Sequence, residues 1–300
     1  MARPLSWRGA WPLSLLALLL PTLVCSAADS NRPDFTFRAN VNEVRVTFSA
    51  TDQKNHGVPS LRSSDLVVVD KDIIVRNFQS FTRTNWTNLD LAILIDTSAS
   101  VTPRFRQEIS SVVELLASTG IADENLSLFS FRNGKPALLC AQQCRGSHVL
   151  EDAPRGLTPL FDTIVLASKY LAARADADRE KVLIIFSDGD DTISEHSLDD
   201  AVTAATRSEV KIYDIDLGRA AASNGAAVLY NFADETGGRY FPARSGVQRT
   251  LNALLDDFQA TYTVTYRLPT RDPGFHRIQV LPTKNLNLHF RSRSGYYLPN

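Results

Sequence analysis

The chain has 300 residues, 44% of them hydrophobic, with 32 basic and 33 acidic residues and a formal charge of −1. That length can bury one large core or two modest ones. The near-neutral charge gives no support for nucleic-acid binding, which leaves a basic excess.

The first residues read as a leader. Arg3 and Arg8 precede a mostly apolar stretch at 11–24, and the small residues Cys25, Ser26, Ala27 and Ala28 follow. This pattern predicts a secretory signal peptide over residues 1–27, cut after Ala27 or Ala28. Pro12 and Pro21 interrupt the run, and it is short for a membrane span. Val24 is bulkier than the residue that lipoprotein processing at Cys25 needs. Cleavage removes Arg3 and Arg8 and no acid, so the charge goes from −1 to −3. No other stretch is long and apolar enough to cross a membrane. Cys140 and Cys144 are the cysteines left after cleavage, and in an exported protein such a pair reads as a disulfide stapling a loop. The expected location is secreted, periplasmic or at the cell surface.

Residues 35–88 read as β. Residues 44–48 alternate apolar and polar as a half-buried strand does. Residues 52–57 are turn chemistry, and strands are expected at 66–72 and over 73–81. From Leu89 the pattern changes to strands alternating with helices, which predicts an α/β domain with a mostly parallel sheet over 89–260. Strands are expected at 91–95, 126–131, 136–141, 181–187, 210–217 and 239–242. The expected helices cover 103–118, 159–173, 197–207, 224–236 and 246–259. Ser197 with Asp200 three residues on has the form of a capping box. The tail, 261–300, returns to β at 261–268, 275–281 and 286–293. Its strands could pair with those of 35–88, making a β-sandwich with the α/β domain inserted. Two unrelated flanking pieces would give the same pattern.

Ligands of open α/β sheets bind outside the carboxyl ends of the strands. Three segments converge there. Asp96, Ser98 and Ser100 follow the first strand, Gly156-Leu157-Thr158-Pro159 opens a helix, and Ser187-Asp188-Gly189-Asp190-Asp191 follows the most hydrophobic strand. One carboxylate with two hydroxyls at spacing two suits a hard cation, which takes oxygen ligands. The same hydroxyls would serve equally as a Ser-rich turn capping the next helix. Asp190 and Asp191 read more simply as a solvated loop, and Thr192 and Ser194 as residues leading to the next helix.

Asp96-Thr97-Ser98-Ala99-Ser100, Thr158 before a helix and Phe186-Ser187-Asp188-Gly189 together resemble the von Willebrand factor type A family. The resemblance covers 89–260, and all five positions of the family's metal-ion-dependent adhesion site match in order and spacing. It implies a doubly wound, six-stranded sheet. It also implies a divalent cation, Mg²⁺ or Mn²⁺, at Asp96, Ser98, Ser100, Thr158 and Asp188, and a protein partner that presents Asp or Glu to it, with no bond made or broken. The flanks, ending in Gly295-Tyr296-Tyr297, look like those of bacterial secreted type A-related proteins.

The alternatives are a structural module of the same fold with an unused metal site and, more remotely, an aspartic-type hydrolase. In the latter, Asp96-Thr97-Ser98 and Ser187-Asp188-Gly189 would pose as paired catalytic loops. Against it, position 98 is Ser rather than Gly, and each loop precedes a helical pattern. No phosphate-binding glycine loop and no Gly-x-Ser-x-Gly elbow occurs. The expectation is a non-enzyme of unassigned oligomeric state.

Overall fold

Apolar runs bounded by turn residues make the central layer. The structure, a computed structural model, describes residues 43–84, 88–98, 100, 121–132, 134–142, 144, 156–174, 179–218, 223–242 and 245–299. The leader at 1–27, the expected β residues 35–42 and the expected helix at 103–118 lie outside the described residues.

Strands β5 (Leu89–Ile95), β6 (Leu126–Arg132), β7 (Lys135–Ala141), β8 (Glu180–Ser187), β9 (Val210–Asp216) and β10 (Arg239–Phe241) form one sheet in the order β10-β9-β8-β5-β6-β7. Numbered from β5, that is the 3-2-1-4-5-6 order of a doubly wound sheet. All neighbours are parallel except β7, which is antiparallel on the edge. Every residue of β5 is buried, as expected of a strand covered on both faces.

Helices α1 (Leu160–Ala173), α2 (Leu198–Arg207) and α3 (Asn224–Thr236) pack on one face through Ile164, Leu171, Ala205, Leu229 and Phe232. Helix α4 (Val247–Gln259) covers the other face through Leu251, Leu254 and Phe258. Ser197 caps α2: its hydroxyl accepts from Asp200 N–H at 3.1 Å, and the Asp200 carboxylate reaches back to Ser197 N–H at 2.9 Å. Helix α3 ends on Gly237, whose φ of 76° is the left-handed conformation glycine adopts freely. Cys140 and Cys144 are joined by a disulfide with Cα atoms 5.7 Å apart.

Strands from both ends of the chain pair with one another. They are β1 (Glu43–Thr51), β2 (Leu66–Asp70), β3 (Ile73–Val75), β4 (Ser80–Arg83), β11 (Thr261–Arg267), β12 (Gly274–Pro282), β13 (His289–Ser292) and β14 (Gly295–Leu298). One sheet runs β13-β1-β11-β4 and another β14-β12-β2-β3, and all pairs are antiparallel. Val46, Phe48, Val68, Val264 and Val280 from the two sheets share one buried cluster. Buried Asp70 on β2 accepts from Tyr266 of β11 at 2.8 Å and from Tyr296 of β14 at 2.7 Å, which ties one sheet to the other.

Two details differ from the sequence reading. The expected strand over 73–81 is two strands, β3 and β4, which belong to different sheets. Residues 76–79 carry the chain across between them. The terminal expectation at 286–293 is the shorter β13, and β14 follows it as a separate strand. Among the described residues no helix is long and apolar enough to cross a membrane.

Candidate metal centre

Strands β5 and β8 are neighbours, and the chain winds away from them in opposite directions. Their carboxyl ends form the topological switch point, where the diverging connections leave a crevice. Asp96 follows β5 and Asp188 follows β8. The backbone of Asp96 is tied across the gap, its N–H donating to Phe186 C=O at 2.8 Å.

Asp96 is 1% exposed. Its Oδ1 accepts from Ser98 N–H at 2.8 Å and its Oδ2 from the Ser187 hydroxyl at 2.7 Å. The Ser187 hydroxyl in turn accepts from Gly189 N–H at 3.1 Å. Ser98 and Ser100 hydroxyls are 2.9 Å apart. Thr97 anchors the loop outward, its hydroxyl reaching Ser130 at 2.9 Å and Phe131 C=O at 3.1 Å. Burial pushes the Asp96 carboxyl above its usual range. Hydrogen bonds from Ser98 and Ser187 oppose that rise, and the charge of Asp188 adds to it.

Asp188 is half-buried and accepts from Asp190 N–H at 3.3 Å. The turn after it depends on glycine. Gly189 has φ of 79°, and a Cβ there would lie 2.2 Å from Gly225 C=O at the start of α3. Backbone therefore packs on backbone where the 188–190 loop meets α3.

Thr158 is buried just ahead of α1. Its N–H donates to the Thr192 hydroxyl at 2.7 Å, and Thr192 N–H donates back to Thr158 C=O at 2.9 Å. Phe161 N–H, in the first turn of α1, donates to Asp191 at 3.2 Å, and Asp162 N–H donates to Ser194 at 3.1 Å. Asp191, Thr192 and Ser194 thus fasten the loop after β8 onto the start of α1. Asp191 is a cap rather than the solvated loop residue expected from sequence; Asp190 is exposed.

The structure therefore brings Asp96, Ser98, Ser100 and Ser187 into one hydrogen-bonded group, sets Asp188 beside it, and ties Thr158 to the Asp188 loop. Sequence reasoning assigned no role to Ser187. It also passed over Asp214 and Asp216 on β9. Asp216 accepts from Tyr240 at 2.6 Å and from Gly218 N–H at 2.6 Å. Asp214 is fully buried with neither oxygen hydrogen-bonded among the described residues, and burial and Asp216 raise its carboxyl well above the usual range. Alternate carboxylates on a strand of mostly buried residues were the available signal.

Some buried acids elsewhere are met by cations, although among the described residues Asp214 and Asp216 are not. Asp90, at the other end of β5, has Arg179 at 3.3 Å and Arg174 at 3.6 Å. Asp257 has Arg291 at 2.6 Å. Among the described residues Asp96 has neutral donors only. A buried carboxylate without an ionic partner is costly, and a divalent cation would supply the missing charge. Among the described residues no three His, Cys, Asp or Glu side chains converge to hold a metal. The donor set fits a hard cation only through its hydroxyls, beside two carboxylates.

Solved structures of similar chain path include proteins named for a von Willebrand factor type A domain. A von Willebrand factor type A protein from Catenulispora acidiphila aligns with 86% of this chain and 75% of its own, at 10% identity and a TM-score of 0.46. The α/β sheet with its helices is doubly wound. The manganese-loaded TRAP protein of Plasmodium vivax aligns with 73% of this chain and 98% of its own, at 16% identity and a TM-score of 0.43. Proximal thread matrix protein 1 from the mussel byssus aligns with 58% of this chain at 14% identity and a TM-score of 0.47, and the match spans 48% of the mussel protein's length. No family model and no curated protein matches this sequence. In this chain the Asp96 and Asp188 loops leave adjacent, parallel strands of one sheet. They do not sit in the separate β lobes that an aspartic-type hydrolase would require.

Proposed function

We propose that this chain is an exported, non-enzymatic binding module that captures an acidic residue of a protein partner through a divalent cation, Mg²⁺ or Mn²⁺. The observation that carries this reading is Asp96: a carboxylate buried at the switch point with neutral donors only among the described residues, hydrogen-bonded into one group with Ser98 and Ser100 and set beside Asp188. Asp96, Ser98, Ser100, Thr158 and Asp188 would hold the ion. When bound, the cation supplies a position for one further anionic oxygen, since two carboxylates only balance its charge. Ser98 N–H and the Ser187 hydroxyl fix the orientation of the Asp96 carboxylate. The Thr192 and Asp191 contacts set the Asp188 loop against α1.

The α/β domain would be carried on a β-sandwich made from segments 35–88 and 261–300, after removal of the leader at 1–27. Pairing of β1 with β11 and of β2 with β12 supports that reading. A structural module with an unused metal site is the second reading, favoured by the lack of three converging His, Cys, Asp or Glu side chains among the described residues.

Immobilised peptides bearing Glu or Asp, set beside their Gln and Asn counterparts, test the proposal. Retention on the acidic peptides in Mg²⁺ and release by EDTA are expected. Equal retention on both sets, or retention in EDTA, would contradict it.

A further inference from the structure

At the opposite end of β8 and β9 from the metal centre, the sheet starts against the outer face of β1. A cavity of about 50 Å³ lies there, lined by Arg45 of β1, Lys181 of β8, Lys211 of β9 and Arg293, which precedes β14. A single ordered water needs roughly 10–15 Å³, so the cavity has room for something larger. Glu180 and Glu209 also line it.

Both acids are already engaged. Lys211 Nζ lies 2.6 Å from Glu180, with 6% and 8% of the two side chains exposed. Arg293 donates through Nη1 to Glu209 at 2.7 Å and through Nη2 to Arg45 C=O at 2.9 Å. Arg179, on the same wall, lies 3.3 Å from Asp90. Two donors remain. Lys181 makes no hydrogen-bonded ion pair among the described residues, although its charge reaches Glu209. The Nε–H of Arg293 is buried and has no acceptor among the described residues. A buried charged donor without an acceptor is costly. The local potential is positive. Burial works to raise the Glu209 carboxyl, and Arg293, Lys181 and Arg45 together outweigh it and hold it below its usual range.

We propose that this cavity binds a small tetrahedral oxyanion, inorganic phosphate or sulfate, between the Lys181 ammonium and the Arg293 guanidinium. These groups are strong donors to oxyanion oxygens. The ion would bridge the start of β8 to the segment between β13 and β14, linking the α/β sheet to the flanking strands. Lys181 and Asp188 are seven residues apart along β8, about 23 Å at ~3.3 Å per residue. The two sites are therefore separable.

Inorganic phosphate titrated into the full chain tests this, by calorimetry in EDTA at constant ionic strength. EDTA removes any cation at Asp96 that phosphate could meet. Saturable binding that sulfate competes for is expected, with a rise in melting temperature. Lys181→Gln should weaken phosphate binding at least tenfold, and Arg293→Lys, which keeps the charge but loses the Nε–H, should weaken it too. Lys169→Gln, exposed on α1, should leave it unchanged. Absence of saturable binding in the wild-type chain, or unchanged affinity in Lys181→Gln, would overturn the proposal.

Discussion

Ser187, the last residue of β8, donates its hydroxyl hydrogen to Asp96 Oδ2 at 2.7 Å across the gap to β5. Both residues are buried. The bond joins the two central strands where the sheet reverses its order, and it fixes one oxygen of the carboxylate on which the proposed metal centre depends. Ser187→Ala should lower Mg²⁺ or Mn²⁺ affinity about 10–100-fold, the usual effect of removing a group that orients a ligand. It should also destabilise the metal-free protein by about 1–3 kcal/mol, because Oδ2 loses a buried donor. Mn²⁺ titration and urea unfolding read the two effects, and an unchanged affinity would remove Ser187 from the account.

Gly189→Ala should be far more disruptive than its size suggests. The position has φ of 79°, and the added Cβ would meet Gly225 C=O at 2.2 Å. Strain and clash together predict a loss of at least about 2 kcal/mol. The Asp188 loop would shift away from α3, so metal affinity should fall as well. Denaturant unfolding beside a Mn²⁺ titration separates the two losses.

Asp162 sets a pH dependence. It accepts from Glu195 N–H at 3.1 Å, from His196 N–H at 2.9 Å and sits 2.7 Å from His196 Nδ1. Burial raises its carboxyl, but the His196 and Glu195 hydrogen bonds outweigh that and hold it below the ordinary value of 3.8. A carboxyl lowered on folding contributes stability above its unfolded value and loses it as pH falls through the folded one. Asp162→Asn should therefore cost about 1–3 kcal/mol at pH 7. The difference from wild type should shrink as pH drops below 3.8. Urea unfolding at pH 7 and pH 3 measures it, and a difference that does not change between them would contradict the assignment.

Much of the α/β layer was legible in the sequence because its signals are local. The apolar run at 91–95, the capping box at Ser197 and Asp200, and Gly237 after α3 each act within a few residues of where they are read. The flanking strands were legible as strands but not as sheets. Residues 73–81 look continuous, yet Asp70 pairs with Ile73 while Phe81 pairs with Val264. Only long-range pairing divides them. The candidate metal residues stood out by type and spacing, whereas Ser187 did not. A serine that ends a strand has the same local signature whether its hydroxyl faces water or a carboxylate 91 residues away. Asp191 was misjudged for a similar reason, since its partner, the N–H of Phe161, lies 30 residues earlier in the chain.

The most direct test of the central claim is calorimetric titration of Mg²⁺ and Mn²⁺ into the wild-type chain and into Asp96→Ala. Saturable one-to-one binding in the wild type, abolished in the variant and accompanied by a metal-dependent rise in melting temperature, is the predicted result. No binding by the wild type, or equal binding by Asp96→Ala, would contradict a metal centre at the switch point and with it metal-dependent capture of a partner.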